Sequence, residues 1–124
     1  MRVLLSGATG FIGRHLQKEL KIHNHEVINL KTNLLKKDEL EAEIIKLDFD
    51  HVVHLAGLSH ITSFEPSQLY KTNVIGSENL VSSLEKKGGG RNILLASSGH
   101  VYAPSKTRLS EESKVQPMSH YASS

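Results

Sequence analysis

The sequence predicts an α/β fold built on a doubly wound parallel sheet, with helices on both faces of the strands. Short runs rich in leucine and β-branched residues alternate along the chain with segments whose apolar residues recur at helical spacing. The apolar runs close mostly on small residues, as buried parallel strands do. The first run leads directly into the glycine-rich stretch GATGFIG, which opens a helical segment.

The N-terminal elements are predicted from their apolar patterns. Residues 2–7 (RVLLSG) end in a serine and a glycine and predict the first strand. Residues 11–23 predict a helix, because their apolar positions keep a helical rather than an alternating period. The short run at 26–30 (EVINL) predicts the second strand. In residues 36–47, leucine and isoleucine fall on one stripe, which predicts the second helix.

The C-terminal elements continue the same alternation. Residues 51–57 (HVVHLAG) predict the third strand. Pro66 suits the start of a long helical stretch, which ends at the glycine triplet that begins with Gly88. Residues 92–97 (NILLAS) predict the fourth strand, and a polar loop then leads to the first turn of a helix at Tyr121. This order of elements predicts right-handed crossovers.

Composition restricts the classes of function. The 124 residues suffice for one domain with a core, and no repeat or linker divides residues 1–124. The net charge of +2 comes from interleaved acidic and basic residues, which argues against a nucleic-acid partner. The absence of cysteine excludes disulfides and thiolate zinc sites. No apolar run reaches the roughly 20 residues of a membrane span, so we expect a cytoplasmic protein without a membrane partner.

The histidines do not predict a metal site. The closest pairs are His23 with His25 and His51 with His54, and neither is accompanied by a matching set of carboxylates. His51 and His54 flank a strand that we expect to be buried. We therefore predict no metal.

Three glycines after the first strand predict a dinucleotide site. Gly7 permits a tight turn, Gly10 lets the backbone approach a pyrophosphate, and Gly13 removes a side chain where the helix crosses the sheet. The N-terminus of the helix would face the phosphates with its amides and dipole. The alternative is a merely tight loop. The strand–turn–helix context favours nucleotide binding on a Rossmann fold.

The spacing Gly-x-x-Gly-x-x-Gly resembles the extended short-chain dehydrogenase/reductase family, of the NAD-dependent epimerase/dehydratase type. Further motifs match it in order: HLAG at 54–57, NVIGSENL at 73–80, LLASSGHVYAPS at 94–105 and PMSHYASS at 117–124. The resemblance covers essentially the whole chain and implies a nucleotide-sugar reductase-like enzyme. Family members are more than twice as long. We therefore expect residues 1–124 to be an incomplete dinucleotide-binding domain, without its last strands and substrate domain.

The resemblance implies that a lysine follows at position 125, since the family motif is Tyr-x-x-x-Lys and Tyr121 matches its tyrosine. A free phenol has a pKa near 10, and an ammonium one helical turn away lowers it. By itself the 124-residue stretch is therefore expected to be inactive.

The resemblance also implies the other active-site residues. Tyr121 exchanges the proton on oxygen, Ser98 donates a hydrogen bond to the developing alkoxide, and Asn73 steadies the site from the long helix. Ser98 has an alternative as a residue that caps the end of a strand, and Asn73 as a helix irregularity with Gly76. His60 and His100 lie in loops at the carboxyl edge and are candidate substrate residues, or else solvent-exposed histidines.

The expected cofactor is NADP(H), with NAD(H) as the alternative. An acidic residue after the second strand would favour NAD, whereas this chain has Lys31, Thr32 and Asn33 there, which suit a 2′-phosphate. Alternatively, Lys31 and Arg14 are simply solvated surface charges that do not contact the cofactor. The predicted cofactor-binding residues are Gly7, Thr9, Gly10, Phe11, Ile12, Gly13, Arg14, Lys31, Asn33, Leu34, Leu55, Ala56, Gly57, Ala96 and Ser97.

The reaction type is narrowed by two further features. The compact segment between the second and third strands resembles that of reductases of nucleotide-linked 4-keto-6-deoxy sugars. Gly99 and His100 stand where the dehydratases of the family place an acidic pair, which disfavours dehydration. The remaining interpretation is a sugar-nucleotide reductase or epimerase, which is expected to form a homodimer when full length. The alternatives are a reductase of a non-sugar carbonyl and an inert dinucleotide-binding protein. The fourth strand is expected to leave an unpaired apolar edge.

Overall fold

The computed structural model describes residues 1–59 and 65–124, in which the chain forms a four-stranded parallel sheet. The strands lie in the order β2-β1-β3-β4, with bounds β1 (Arg2–Ser6), β2 (Glu26–Asn29), β3 (His51–His54) and β4 (Asn92–Leu95). All three strand pairs are parallel, which confirms the predicted fold class. The strands end slightly earlier than predicted, because the residues that follow them leave the sheet at its carboxyl edge.

Helices cover both faces of this sheet. Their bounds are α1 (Phe11–Ile22), α2 (Lys37–Lys46), α3 (Pro66–Leu69), α4 (Gly76–Lys87) and α5 (His120–Ser123). Strands β2 and β3 flank β1 on opposite sides. Right-handed crossovers therefore place α1 and α2 on opposite faces. Helix α4 packs against α2, so these two share one face.

The core lies between the sheet and the helices α2 and α4. Leu4 of β1 pairs in register with Val52 of β3, and both are almost fully buried on this face. The helices contribute a matching apolar layer, and the buried cluster consists of Leu4, Leu34, Leu40, Ile44, Phe49, Val52, Leu80 and Leu84. Burial of such side chains contributes about 1.5–3 kcal/mol each.

The long helical stretch is interrupted by a π-helix. Residues Tyr70–Ile75 form this π-helix between α3 and α4. The irregularity that we weighed for Asn73 and Gly76 is therefore observed. Gly76 is buried at the join, where a Cβ would lie 3.1 Å from the Cβ of Leu34. A helix of the normal register would present different side chains to the sheet.

The two ends of the sheet differ in chemistry. At the amino end, Arg2 forms ion pairs with Asp48 and Asp50, which flank the entry to β3. Hydrogen bonds from Arg2 lower the pKa of the Asp50 carboxyl to about 2. The carboxyl end instead carries the glycine turn and the loops that follow β3 and β4.

Strand β4 is the outer strand of the described sheet and is poorly covered. Ile93, Leu94 and Leu95 are 38%, 57% and 52% exposed. The expected apolar edge is therefore observed. No helix within residues 1–59 and 65–124 has the length and apolar character needed to cross a bilayer.

Candidate functional site

The glycine turn joins β1 to α1 at the carboxyl edge of the sheet. Gly7 has a φ of +72°, and a Cβ on it would lie 2.6 Å from the backbone nitrogen of Ala56. A Cβ on Gly13 would lie 2.2 Å from the carbonyl oxygen of Gly7. The turn is therefore packed against the end of β3 on one side and against its own helix on the other, with no room for side chains.

Gly10 is the residue that caps the N-terminus of α1, and because it has no side chain it leaves the first amide groups of the helix accessible. Its own amide donates to the Gly7 carbonyl at 3.0 Å, and its dihedral angles are extended. Among the described residues, no side chain caps α1, and its first turn contains no acidic residue. Phe11 and Ile12 are 75% and 61% exposed beside the turn. Such an uncapped N-terminus suits an anionic group.

Two amide side chains, one from α1 and one from β2, brace this turn. Gln17 donates through Nε2 to the carbonyl of Ala8 at 2.7 Å, and Asn29 of β2 donates to Gln17 Oε1 at 3.0 Å. Sequence reasoning missed this brace, because Gln17 and Asn29 carry no motif and meet only through the tertiary fold.

The segment after β2 contains a carboxylate that the sequence did not predict. Glu43 of α2 accepts hydrogen bonds from the amides of Lys31 at 3.1 Å and Thr32 at 2.8 Å. Burial alone would raise its pKa, but hydrogen bonds from Thr32 and Lys31 hold the pKa of Glu43 below its ordinary value. The Glu43 carboxylate therefore lies beside the backbone of Lys31 and Thr32, where the cofactor prediction placed a 2′-phosphate.

The other predicted residues of this segment have local functions. Asn33 accepts from the Leu35 amide through its side chain at 2.9 Å, in a turn of its own. Leu34 is 7% exposed and belongs to the core cluster, so its side chain contributes packing. Lys31 is exposed.

Asn73 joins the loop after β3 to the last helix. Its Oδ1 accepts from the Leu58 amide at 2.8 Å, and its Nδ2 donates to the Leu58 carbonyl and to Ser124 Oγ, both at 3.1 Å. A Cβ on Gly57 would lie 3.2 Å from Asn73 Oδ1. The loop that contains predicted cofactor residues is thus bound to the helix that was expected to steady the site.

Ser98 and Tyr121 lie on one side of the molecule, linked by His100. Ser98 Oγ accepts from the His100 amide at 3.2 Å and caps a 3₁₀-helix over Gly99–Val101. The His100 and Tyr121 rings meet edge to face, with centroids 5.8 Å apart. Ser98 therefore acts as a cap, but of this 3₁₀-helix and not of the end of a strand. This capping leaves the hydroxyl hydrogen of Ser98 available to donate.

The loop after β4 is closed by backbone hydrogen bonds between its two ends. The amide of Ala103 donates to Lys114 at 2.9 Å, and the amide of Gln116 donates to Val101 at 2.8 Å. An open groove of about 370 Å³ lies beside it, lined by residues that include His100, Tyr102, Leu109, Met118 and Ser119. Ser119 caps α5 by accepting from Ala122 at 3.0 Å.

The remaining predicted residues are distributed as follows. Leu55 and Ala56 continue from β3 against the glycine turn, and Ala96 and Ser97 are exposed after β4. His60 lies outside the described residues. Within 1–59 and 65–124, no three histidine, cysteine or acidic side chains cluster as metal ligands would.

The fold and this edge define a doubly wound α/β protein of the dinucleotide-binding type. The sequence model of the NAD dependent epimerase/dehydratase family matches residues 3–124. The chain therefore belongs to that family.

Individual relatives are consistent with this membership. GDP-6-deoxy-D-talose 4-dehydrogenase of Aggregatibacter actinomycetemcomitans is 28% identical over 132 residues, covering 100% of this chain and 45% of that protein. GDP-6-deoxy-D-mannose reductase of Pseudomonas aeruginosa is 31% identical over 130 residues, covering 98% and 42%. The structure of RMD from Pseudomonas aeruginosa complexed with NADPH superimposes with a TM-score of 0.88 at 29% identity, covering 98% and 44%. The chain spans less than half the length of these relatives.

Proposed function

We propose that residues 1–124 are the dinucleotide-binding part of an NADP(H)-dependent oxidoreductase that acts on a nucleotide-linked 4-keto-6-deoxy sugar. One observation carries the proposal: the glycine turn, Asn73 and the Ser98–His100–Tyr121 group all lie at the carboxyl edge, where open α/β sheets bind ligands. The names of the relatives support the substrate class, and the NADPH complex of RMD supports the cofactor.

The residues of the turn fit a dinucleotide. A Cβ on Gly10 would lie 3.2 Å from the Gly7 carbonyl oxygen and would stand over the uncapped start of α1. Glycine at this position keeps that space open for a pyrophosphate, which the helix amides would bind. Lys31 would meet a 2′-phosphate at the end of β2. When bound, the reduced cofactor supplies the hydride for the sugar carbonyl.

The side chains of this chain supply the proton and the hydrogen bond. Tyr121 donates its phenol proton to the carbonyl oxygen as that oxygen gains charge. The Ser98 oxygen accepts from the His100 amide, so its hydroxyl hydrogen is available to donate to the same carbonyl oxygen. Water returns the proton to Tyr121. His100, beside the Tyr121 ring, is positioned to contact the substrate.

Cofactor titration tests the first half of this proposal. We expect the 124-residue chain to bind NADPH more tightly than NADH in a fluorescence titration. Lys31→Ala should weaken NADPH binding about fivefold and leave NADH unchanged, since one exposed charge pair is worth up to about 1 kcal/mol. The matched control is Lys46→Ala, which removes an exposed charge from the last turn of α2, at the opposite edge. Equal affinities for the two cofactors would contradict the NADP(H) assignment.

Turnover tests the second half, in the longer protein that contains this chain. We expect NADPH consumption with a GDP-linked 4-keto-6-deoxy sugar, and a loss of about 100- to 10,000-fold in kcat in Tyr121→Phe. Epimerisation of a nucleotide sugar without net NADPH consumption would identify the epimerase alternative instead. The homodimer implied by the resemblance and the cytoplasmic location expected from the composition stay predictions.

A further inference from the structure

A buried histidine outside the proposed catalytic group connects three elements of the site. His54, the last residue of β3, is 5% exposed. Its Nδ1 lies 2.5 Å from Ser6 Oγ at the end of β1, and its Nε2 lies 2.8 Å from Ser77 Oγ in α4. Ser6 directly precedes the glycine turn, and Ser77 lies one turn beyond Asn73.

The directions of these hydrogen bonds follow from the number of hydrogens. Ser77 donates its single hydroxyl hydrogen to the carbonyl of Asn73 at 2.5 Å, and a carbonyl only accepts. His54 Nε2 must therefore be the donor to Ser77. A neutral imidazole carries one N–H, so Nδ1 is the acceptor and Ser6 donates to it. Burial lowers the pKa of His54, which is consistent with a neutral ring.

The chain of hydrogen bonds continues to the loop after β3. Ser6 Oγ, having donated to His54, accepts from the amide of Ala56 at 3.3 Å. All bonds thus point one way, from the Ala56 amide through Ser6, His54 and Ser77 to the Asn73 carbonyl. The Ala56 end touches Gly7, and the Asn73 end binds Leu58 and Ser124 through its side chain.

We infer that His54, as the neutral Nε2–H tautomer, is the positioning residue that sets the glycine turn and Asn73 relative to each other. With the other tautomer, Ser6 would accept from both His54 Nδ1 and the Ala56 amide, and Ser77 would have no donor at His54 Nε2, which breaks the one-way chain. The importance of His54 for the reaction rests on the function proposed above. The tautomer of its ring and the effect of that ring on Asn73 do not depend on that function.

Nuclear magnetic resonance of the uniformly ¹⁵N-labelled 124-residue chain, without cofactor, tests the inference directly. Long-range proton–nitrogen spectra of the His54 ring should show hydrogen on Nε2 and an unprotonated Nδ1. The reverse tautomer, or a charged ring at neutral pH, overturns the inference. This measurement needs no variant, so it stands even where a substitution prevents folding.

Substitutions then separate the two arms of the ring. His54→Gln places an amide donor near the position of Nε2, whereas His54→Asn reaches only the position of Nδ1. We expect the side-chain amide of Asn73 to exchange its hydrogens about two- to tenfold faster in His54→Asn and Ser77→Ala, as loss of one hydrogen bond allows. His54→Gln should restore the wild-type rate.

A matched control comes from the same helix. Ser83 donates to the carbonyl of Asn79 at 2.7 Å, in the same back-bond as Ser77 makes, but within residues 1–59 and 65–124 it forms no hydrogen bond with a histidine. Ser83→Ala should therefore leave Asn73 unchanged. Equal exchange of Asn73 in Ser77→Ala and Ser83→Ala overturns the inference. Failure of this chain to bind NADPH would instead contradict the proposed function and leave the tautomer result intact.

Discussion

Gly13 and Gly10, two glycines of the turn, should respond differently to the addition of one methyl group. In Gly13→Ala the new Cβ would lie 2.2 Å from the Gly7 oxygen and 2.9 Å from backbone atoms of Ala8. Backbone atoms cannot rotate away, so helix α1 must move from the sheet. Overpacking of this kind costs about 1–3 kcal/mol or more, and we expect the upper end, about 3 kcal/mol.

Gly10→Ala should leave the fold nearly unchanged. Its Cβ would lie 3.2 Å from the Gly7 oxygen, so a shift of a few tenths of an ångström suffices. The extended dihedral angles of Gly10 are accessible to alanine. Alanine lowers the conformational entropy of the unfolded chain, which offsets about 0.4–1 kcal/mol of the cost of that shift. The free energy of unfolding should therefore change by less than about 1 kcal/mol. NADPH affinity, however, should fall at least about tenfold, because the methyl group occupies the space of the pyrophosphate.

Urea unfolding followed by circular dichroism, with a parallel NADPH titration, measures both quantities. The control is Gly99→Ala, where a Cβ would meet nothing within 4 Å among the described residues and stability should stay within about 0.5 kcal/mol. If Gly13→Ala were as stable as Gly10→Ala, the close packing of the turn would be refuted. If Gly10→Ala bound NADPH like the wild type, the phosphate would not lie at this turn.

Three further predictions concern other parts of the molecule. Glu43→Gln should tighten NADPH binding about two- to fivefold in a fluorescence titration and affect NADH little, because the carboxylate repels a 2′-phosphate through screened solvent; unchanged selectivity would place that phosphate elsewhere. Burial lowers the pKa of His54, so the unfolded state takes up the proton first as pH falls below about 6.5. Stability should therefore be retained above that pH and decrease below it by up to about 1.4 kcal/mol per pH unit, and in His54→Asn a series of urea titrations should lack this slope. Leu94→Lys at the exposed β4 edge should reduce self-association in sedimentation velocity without altering unfolding, whereas Leu4→Lys, at a fully buried position, should prevent folding.

The sequence predicted the features that depend on local pattern. Apolar runs and helical periodicity located the strands and the main helices to within a few residues, and the spacing of Gly7, Gly10 and Gly13 located the turn. Such signals are legible because the period of a strand or helix, and the steric demand of a turn, involve only neighbours along the chain.

Features that depend on distant pairs were not predictable in this way. Ser6 and His54 are 48 positions apart, and Glu43 meets Lys31 and Thr32 only once α2 has docked. The sequence placed His54 within the predicted third strand but gave no sign of its partners. The π-helix is likewise invisible to periodicity, since its apolar residues fit an ordinary amphipathic helix almost as well.

That π-helix determines which mutations this chain tolerates. A π-turn holds one residue more than an α-turn, and each residue removed from a helix rotates everything beyond it by roughly 100°. Deleting one codon within Tyr70–Ile75 would remove that extra residue and restore a regular helix, so the helix beyond it would keep Leu80 on the face toward the sheet. Single-codon deletions should therefore be tolerated better within Tyr70–Ile75 than within α4, where no extra residue compensates for the rotation.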